Sequence, residues 1–218
     1  MSPIKPTLKT EIIPLILIIL SFVLGFYFYT HFPARVPSHW NFQGQVDSWS
    51  SAGFGAFFLP FLLLGMYILF LVIPYLDPKK ERYQEFKGTY HLFKGLIMFI
   101  LFGIYLAAGY AALGYQVDIG LIVSLMIGLL FIIFGSQMSK IKSNWFIGIR
   151  TPWTLSNEEV WTKTHALGGK TFIIAGVLLI LAGLLKNSWS LIVLLVGVCI
   201  AALVPVVYSY VLFRRITK

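Results

Sequence analysis

Apolar and polar residues in this chain fall into long blocks rather than alternating at the period of a strand or of a half-buried helix. Six apolar runs stand out, near 12–32, 53–76, 93–113, 119–139, 171–186 and 190–213. A hydrocarbon core about 30 Å thick takes roughly 20 helical residues to cross, so each run predicts a membrane-spanning helix. The fifth is the weakest, yet it is uncharged from Thr171 to Leu185, and its partner follows after only Lys186-Asn187-Ser188. Phe26-Tyr27-Phe28-Tyr29 ends the first run where a cleaved leader needs small residues. That run therefore reads as a retained helix with an aromatic anchor. Pro60 and Pro205 predict packing kinks in the second and sixth helices. Gly103, Ala107 and Ala111 on the third, and Gly197 with Ala201 on the sixth, have the spacing that lets helix backbones approach closely.

Composition turns this pattern into a class. Of 218 residues 58% are hydrophobic and 11% charged, where a soluble domain carries about 25% charged residues. A soluble exterior has no means of hiding that much apolar surface. Soluble enzymes, disordered chains and fibrous proteins are excluded. The expected fold is an all-α integral membrane protein of six transmembrane helices, forming one compact domain. The single cysteine, Cys199, lies in an apolar run, which excludes a disulfide framework and a thiolate zinc cluster.

Charge adds the orientation. With the N-terminus inside, every lysine and arginine of the 17 except Arg35 and Lys186 falls on the inner side, as in cytoplasmic loops generally. Both termini are expected in the cytoplasm, and Asp47 and Asp118 offset the two outer bases. The net charge of +9 is thus a topology signal with an attraction to anionic lipid, and direct nucleic-acid binding is not expected. No ionisable residue falls in the middle of a run, which argues against an ion-coupled pump.

Function is left to two loops. The outer one, Phe32 to Trp49, holds Pro33, Pro37 and Gly44, which predict a compact, turn-rich loop. His39, Asn41 and Asp47 offer polar groups there, and Trp40, Phe42 and Trp49 offer apolar faces. Two readings fit: an interfacial plug, or a recognition loop for something arriving from outside. His31, His39 and Asp47 lack metal-ligand spacing.

The inner loop, Asn144 to Gly169, is the most informative stretch. Ser156 followed by Glu159 reads as a capping box, predicting a short helix from Asn157. Glu159 and Lys163 are placed to pair along it, and Gly168 suits a C-terminal stop. Trp161 and His165 share one face, so the expected element is an amphipathic helix lying along the membrane between the fourth and fifth spans. Arg150-Thr151-Pro152-Trp153 precedes it. The loop reads either as a structural elbow, with Arg150 paired to phosphate or a loop acid, or as a docking surface. Arg150, Glu158 and His165 also invite the reading of a membrane enzyme or carrier acting on a lipid-like substrate at the inner headgroup level, but no nucleophile is placed beside them for acid/base chemistry. Neither enzyme activity nor a cofactor or metal is called for.

The outer pattern Val36-Pro37-x-His39-Trp40-Asn41-x-x-Gly44-x-x-Asp47 resembles the DUF1648 signature. The inner pattern Ile147-Gly148-Ile149-Arg150-Thr151-Pro152-Trp153-Thr154, with Trp161, His165 and Gly168, resembles the SdpI signature. In this order on six helices, the two are similar to the SdpI family of bacterial immunity proteins over nearly the whole chain. The resemblance divides the chain into a DUF1648-like part, 1–90, and an SdpI-like part, 91–218. It implies a multi-pass plasma-membrane protein that protects its cell from a secreted antimicrobial peptide. It implies further a signal-transducing receptor that holds a small cytoplasmic winged-helix repressor at the membrane. On that basis Pro37, His39, Trp40, Asn41, Gly44 and Asp47 are expected to face the toxin. Gly148, Arg150, Thr151, Pro152, Trp153, Thr154, Glu158, Trp161 and His165 are expected to face the partner.

Overall fold

The computed structural model describes residues 3–41, 44–185 and 189–217; Phe42 and Lys186-Asn187-Ser188, named above, lie outside them. Helix α1, Leu8–His31, leads into strands β1, Arg35–Trp40, and β2, Val46–Ser51. Helix α2, Ala52–Leu76, then reaches a 3-10 turn at Lys80–Phe86, followed by α3, Lys87–Ala112, and α4, Ile119–Gln137. After the inner loop come a short α5, Pro152–Ser156, and the long α6, Glu158–Leu185, and α7, Trp189–Ile216. Six helical spans are long and apolar enough to cross a membrane. They carry α1, α2, α3, α4, α6 and α7.

Three expectations are corrected. The separate interfacial helix does not exist as such: α6 runs unbroken from Glu158 to Leu185, and Gly168 lies inside it, buried under Ile149 and Met138. The capping box is replaced as well. The Asn157 side chain accepts from Glu159 N and Val160 N, at 2.9 and 3.0 Å, while the Ser156 hydroxyl donates back to the Trp153 carbonyl. The expected Glu159–Lys163 pair does form, at 2.6 Å. The outer loop, finally, is a β-hairpin rather than a string of turns. Pro37 is tolerated in β1 because a two-stranded sheet has only edges, and the pairing slips beside it, between Pro37 and His39.

Packing falls into two groups, α1 with α2 and α3, and α4 with α6 and α7, joined where α3 meets α4. The second group depends on glycine. A Cβ on Gly135 would lie 2.5 Å from the Gly169 carbonyl, and one on Gly128 2.7 Å from the Gly176 carbonyl. Only bare backbones let α4 and α6 touch there. Of the small residues singled out in the sequence, Gly103 lies against Met126 and Gly197 against Leu178 and Ala175, so these contacts are internal.

The first group is tied by two tyrosines of α3. Proline has no N–H, so Pro60 and Pro74 leave the carbonyls four residues earlier, Ala56 and Phe70, without their helical donor. The Tyr105 hydroxyl donates to Ala56 O at 2.8 Å, and the Tyr90 hydroxyl to Phe70 O at 2.5 Å. Both tyrosines are buried. In hydrocarbon such freed groups need a donor from a neighbouring helix. The largest buried cluster sits at the end of the bundle where the N-terminal segment, the 3-10 turn and the inner loop meet, and it joins Ile4, Phe70, Tyr83, Phe93 and Trp161.

This pairing has a testable signature. Tyr105→Phe should destabilise the detergent-solubilised protein by about 1–3 kcal/mol, the cost of an orphaned buried acceptor. In a Pro60→Ala background residue 60 regains its N–H and the same change should cost clearly less. Equal losses in thermal unfolding for both backgrounds would show that Tyr105 acts through packing alone.

Candidate functional site

The inner loop builds itself out of hydrogen bonds. Asp77, buried at the end of α2, accepts from Lys79 N at 2.7 Å and from Tyr83 Oη and Trp145 N at 2.9 Å. Asn144 folds the next turn: its Oδ1 accepts from Phe146 N and Ile147 N, and its Nδ2 donates to the carbonyls of Lys142 and Ile147. Gly148 follows with φ of +113°, a conformation that side chains resist, and a Cβ there would lie 2.4 Å from His165 Nε2.

His165 closes this turn onto α6. It is fully buried and stacks on Trp161, with ring centroids 4.0 Å apart. Its Nδ1 lies 2.8 Å from the Trp161 carbonyl, and its Nε2 lies 3.0 Å from Ile149 N. A carbonyl only accepts and an amide N–H only donates, which assigns the ring proton to Nδ1 and leaves Nε2 as a neutral acceptor. Trp161 Nε1 donates to the Ile141 carbonyl at 2.8 Å. Both aromatic residues thus hold backbone.

Thr151-Pro152-Trp153-Thr154 is a second self-contained device. Thr154 N donates to Thr151 Oγ1, and Thr151 N donates to Thr154 Oγ1. This reciprocal capping box starts α5, with Pro152 at its first turn. The Thr151 hydroxyl lies 3.1 Å from that of Ser209 on α7, linking the loop to the last helix.

The acid/base trio of the sequence does not converge. Arg150 Nη1 donates to the Trp145 carbonyl, Glu158 receives both bonds from Arg82 Nη1 at 2.6 and 2.8 Å, and His165 is occupied as described. Among the described residues Arg150 forms no ion pair with an acid. Among the inner candidates Gly148 is half-buried and Thr151, Thr154, Trp161 and His165 are buried, while Arg150, Pro152 and Glu158 are exposed and Trp153 half-exposed against Tyr210.

On the opposite end the hairpin does the reverse and displays its groups. Val36 is its buried anchor on the bundle. Asn41 and Gly44 form the turn: Gln45 N donates to Asn41 Oδ1 at 2.9 Å, and Gly44 has φ of +76°. Trp40 pairs with Val46, and Pro37 lies opposite Trp49. His39 Nδ1 meets Asp47 Oδ1 at 2.5 Å, the two side chains being 67% and 43% exposed. Trp49 is exposed beside them. His39, Asp47 and Trp49 form the accessible face, whereas Asn41 and Gly44 shape it.

Comparison with known proteins matches both motifs. The family model described as the SdpI/YfhL protein family covers residues 140–209, and that of DUF1648, a domain of unknown function, covers residues 16–64. Over residues 140–209 the chain is similar to the SdpI/YfhL family. "Immunity protein SdpI" of Bacillus subtilis (strain 168) is 26% identical over 209 residues, which is 96% of this chain and 98% of that protein. No solved structure matches. With its six spans and its similarity to the Bacillus subtilis protein, the chain is a multi-pass protein of the bacterial plasma membrane. The SdpI/YfhL region contains the whole inner loop from Lys140, the α4-facing glycines of α6 and Ser209.

Residues that motif reading passed over complete the site. Asp77, Tyr83 and Asn144 organise the inner loop. Glu11 and Lys94 form a buried pair at 2.6 Å, inside α1 and α3; Glu11 stands just before the first apolar run and Lys94 at the start of the third. Buried polar residues at helix ends were the available signal.

The Gly148–His165 contact predicts a sharp sensitivity. Gly148→Ala should lower the thermal midpoint of the solubilised protein, since positive-φ strain costs about 1–3 kcal/mol before the clash is added. Gly65→Ala, where a Cβ meets nothing within 4 Å, should be near neutral in the same melt. A midpoint for Gly148→Ala matching that of Gly65→Ala would refute the packing described.

Proposed function

We propose that this chain is an immunity protein protecting its cell from a secreted, membrane-active peptide, which it meets at the β-hairpin on the outer face. The observation that carries this reading is the contrast between the two ends. The hairpin is anchored by buried Val36 and offers His39, Asp47 and Trp49 to solvent, while the buried polar groups of the inner signature are engaged with the loop itself. Rigid aromatic groups on a braced turn make good contacts because little conformational freedom is lost on binding. The relative named as an immunity protein supports the same reading.

The orientation that goes with it has both termini in the cytoplasm, supported by the crowding of lysine and arginine on that side. A signalling half, holding a winged-helix repressor at the membrane, would draw on Arg150, Pro152, Trp153 and Glu158, the inner signature residues with accessible surface.

The test is protection. Expressed in a strain killed by such peptides, the chain should raise survival against at least one of a panel. Trp49→Ala and His39→Ala should each weaken peptide binding by about 2 kcal/mol, roughly thirtyfold, with membrane levels unchanged. Ser48→Cys in a Cys199→Ala background should react with a membrane-impermeant thiol reagent in intact cells. Unchanged killing by every peptide, with the protein present in the membrane, would refute immunity. Absence of labelling would place the hairpin on the other side.

A further inference from the structure

The Glu11–Lys94 pair is not sealed into the core. It forms the floor of a crevice of about 330 Å³ between the N-terminal segment, the end of α2 and the start of α3, a volume in the range of small-ligand sites. Its walls include Ile4, Val72, Tyr90 and His91. Among its lining residues Val72 and Tyr75 are exposed on the flank of α2, where the surroundings of a membrane protein are lipid. Polar groups do not normally stand open to that side, because unsatisfied donors in hydrocarbon are costly.

One of them lacks a hydrogen-bond partner among the described residues, and another is only partly engaged. Lys94 Nζ directs two donors at the Glu11 oxygens, both at 2.6 Å, and among the described residues has only the Tyr67 ring, 5.7 Å to its centroid, for the third. His91 Nδ1 is buried and has no hydrogen-bond partner among the described residues. Both residues line the same crevice. An oxygen-rich, anionic group fits such a pair of donors. The rim has the same preference: Lys5 stands between the lining residues Ile4 and Pro6, Lys87 one turn before His91, and both are exposed. Glu11 neutralises only Lys94, so the mouth keeps a net positive charge.

The geometry points to a binding site for the phosphate headgroup of an anionic glycerophospholipid, entering sideways from the leaflet on the lysine-rich face. The phosphate accepts from Lys94 Nζ and from a His91 ring protonated at Nδ1, and the acyl chains lie along α2 past Val72. The lipid would brace α1 against α3 at the pair that already joins them. This site is separate from the inner signature and from the hairpin.

Native mass spectrometry of the purified full chain tests it, with phosphatidylglycerol, phosphatidylcholine and water-soluble glycerol phosphate offered at equal concentration. Phosphatidylglycerol should be retained over phosphatidylcholine, and glycerol phosphate should not be retained. His91→Phe removes one charge-assisted bond and should lower phosphatidylglycerol retention about tenfold. Val72→Trp blocks the mouth without touching the pair and should do the same, so a misfolded variant of either kind leaves the other to decide. Arg214→Ala with Arg215→Ala, a control for general basic attraction at the end of α7, should leave retention unchanged. Equal retention of both lipids, indifference to the folded variants, or loss only in the arginine control would overturn the site. Retention of glycerol phosphate equal to that of the lipid would assign the crevice to a soluble phosphate ester instead.

Discussion

Hydrocarbon offers no water to complete a hydrogen bond, and this constraint shapes every polar decision in the molecule. Where a proline takes away a helical donor, a tyrosine from the neighbouring helix replaces it: Tyr105 for Ala56 O, Tyr90 for Phe70 O. Where the chain must turn between α4 and α6, Asn144 supplies acceptors and donors for the turn's own backbone. Where two charges enter the bundle, Glu11 and Lys94 arrive together. Pairing of this kind is costly to break, since a buried charge left alone destabilises by about 3–5 kcal/mol.

The same constraint gives the inner signature a physical meaning. Glycine at 148 lets the backbone pass against an imidazole, and that imidazole answers the next amide along. Thr-Pro-x-Thr caps a helix of barely one turn, and Trp161 holds the carbonyl of Ile141. A loop built this way has one conformation, so whatever meets it from outside meets a fixed shape presented by Arg150, Pro152 and Trp153. The hairpin is held by another route, with one buried valine and a backbone ladder, and leaves its paired histidine and aspartate and its Trp49 exposed.

What the sequence reveals follows from what hydropathy can sense. Six spans are legible because their lipid-facing residues, such as Ile19, Phe61 and Leu203, are apolar whatever the protein does inside. The continuity of α6 is not, because Glu158 to Lys170 reads as a separate polar helix, although Thr164 and His165 are buried against other protein groups. The early start of α3 is hidden for the same reason: Lys94 looks like a cytoplasmic base until Glu11 is placed beside it. The strands are masked by Pro37 and by their shortness. Trp161 and His165 share a face, as their spacing implies, and that face is buried within the protein. Motif spacing could mark the inner loop as special. It could not tell a docking surface from a hydrogen-bonded lock, since both call for polar and aromatic residues.

The lock centres on one ring. Nitrogen-15 solid-state NMR of His165 in lipid bilayers reads its protonation directly. The structure predicts a neutral imidazole with the proton on Nδ1 and a bare Nε2 accepting from the Ile149 amide. A proton on Nε2, or a ring in free exchange with water, would contradict the account.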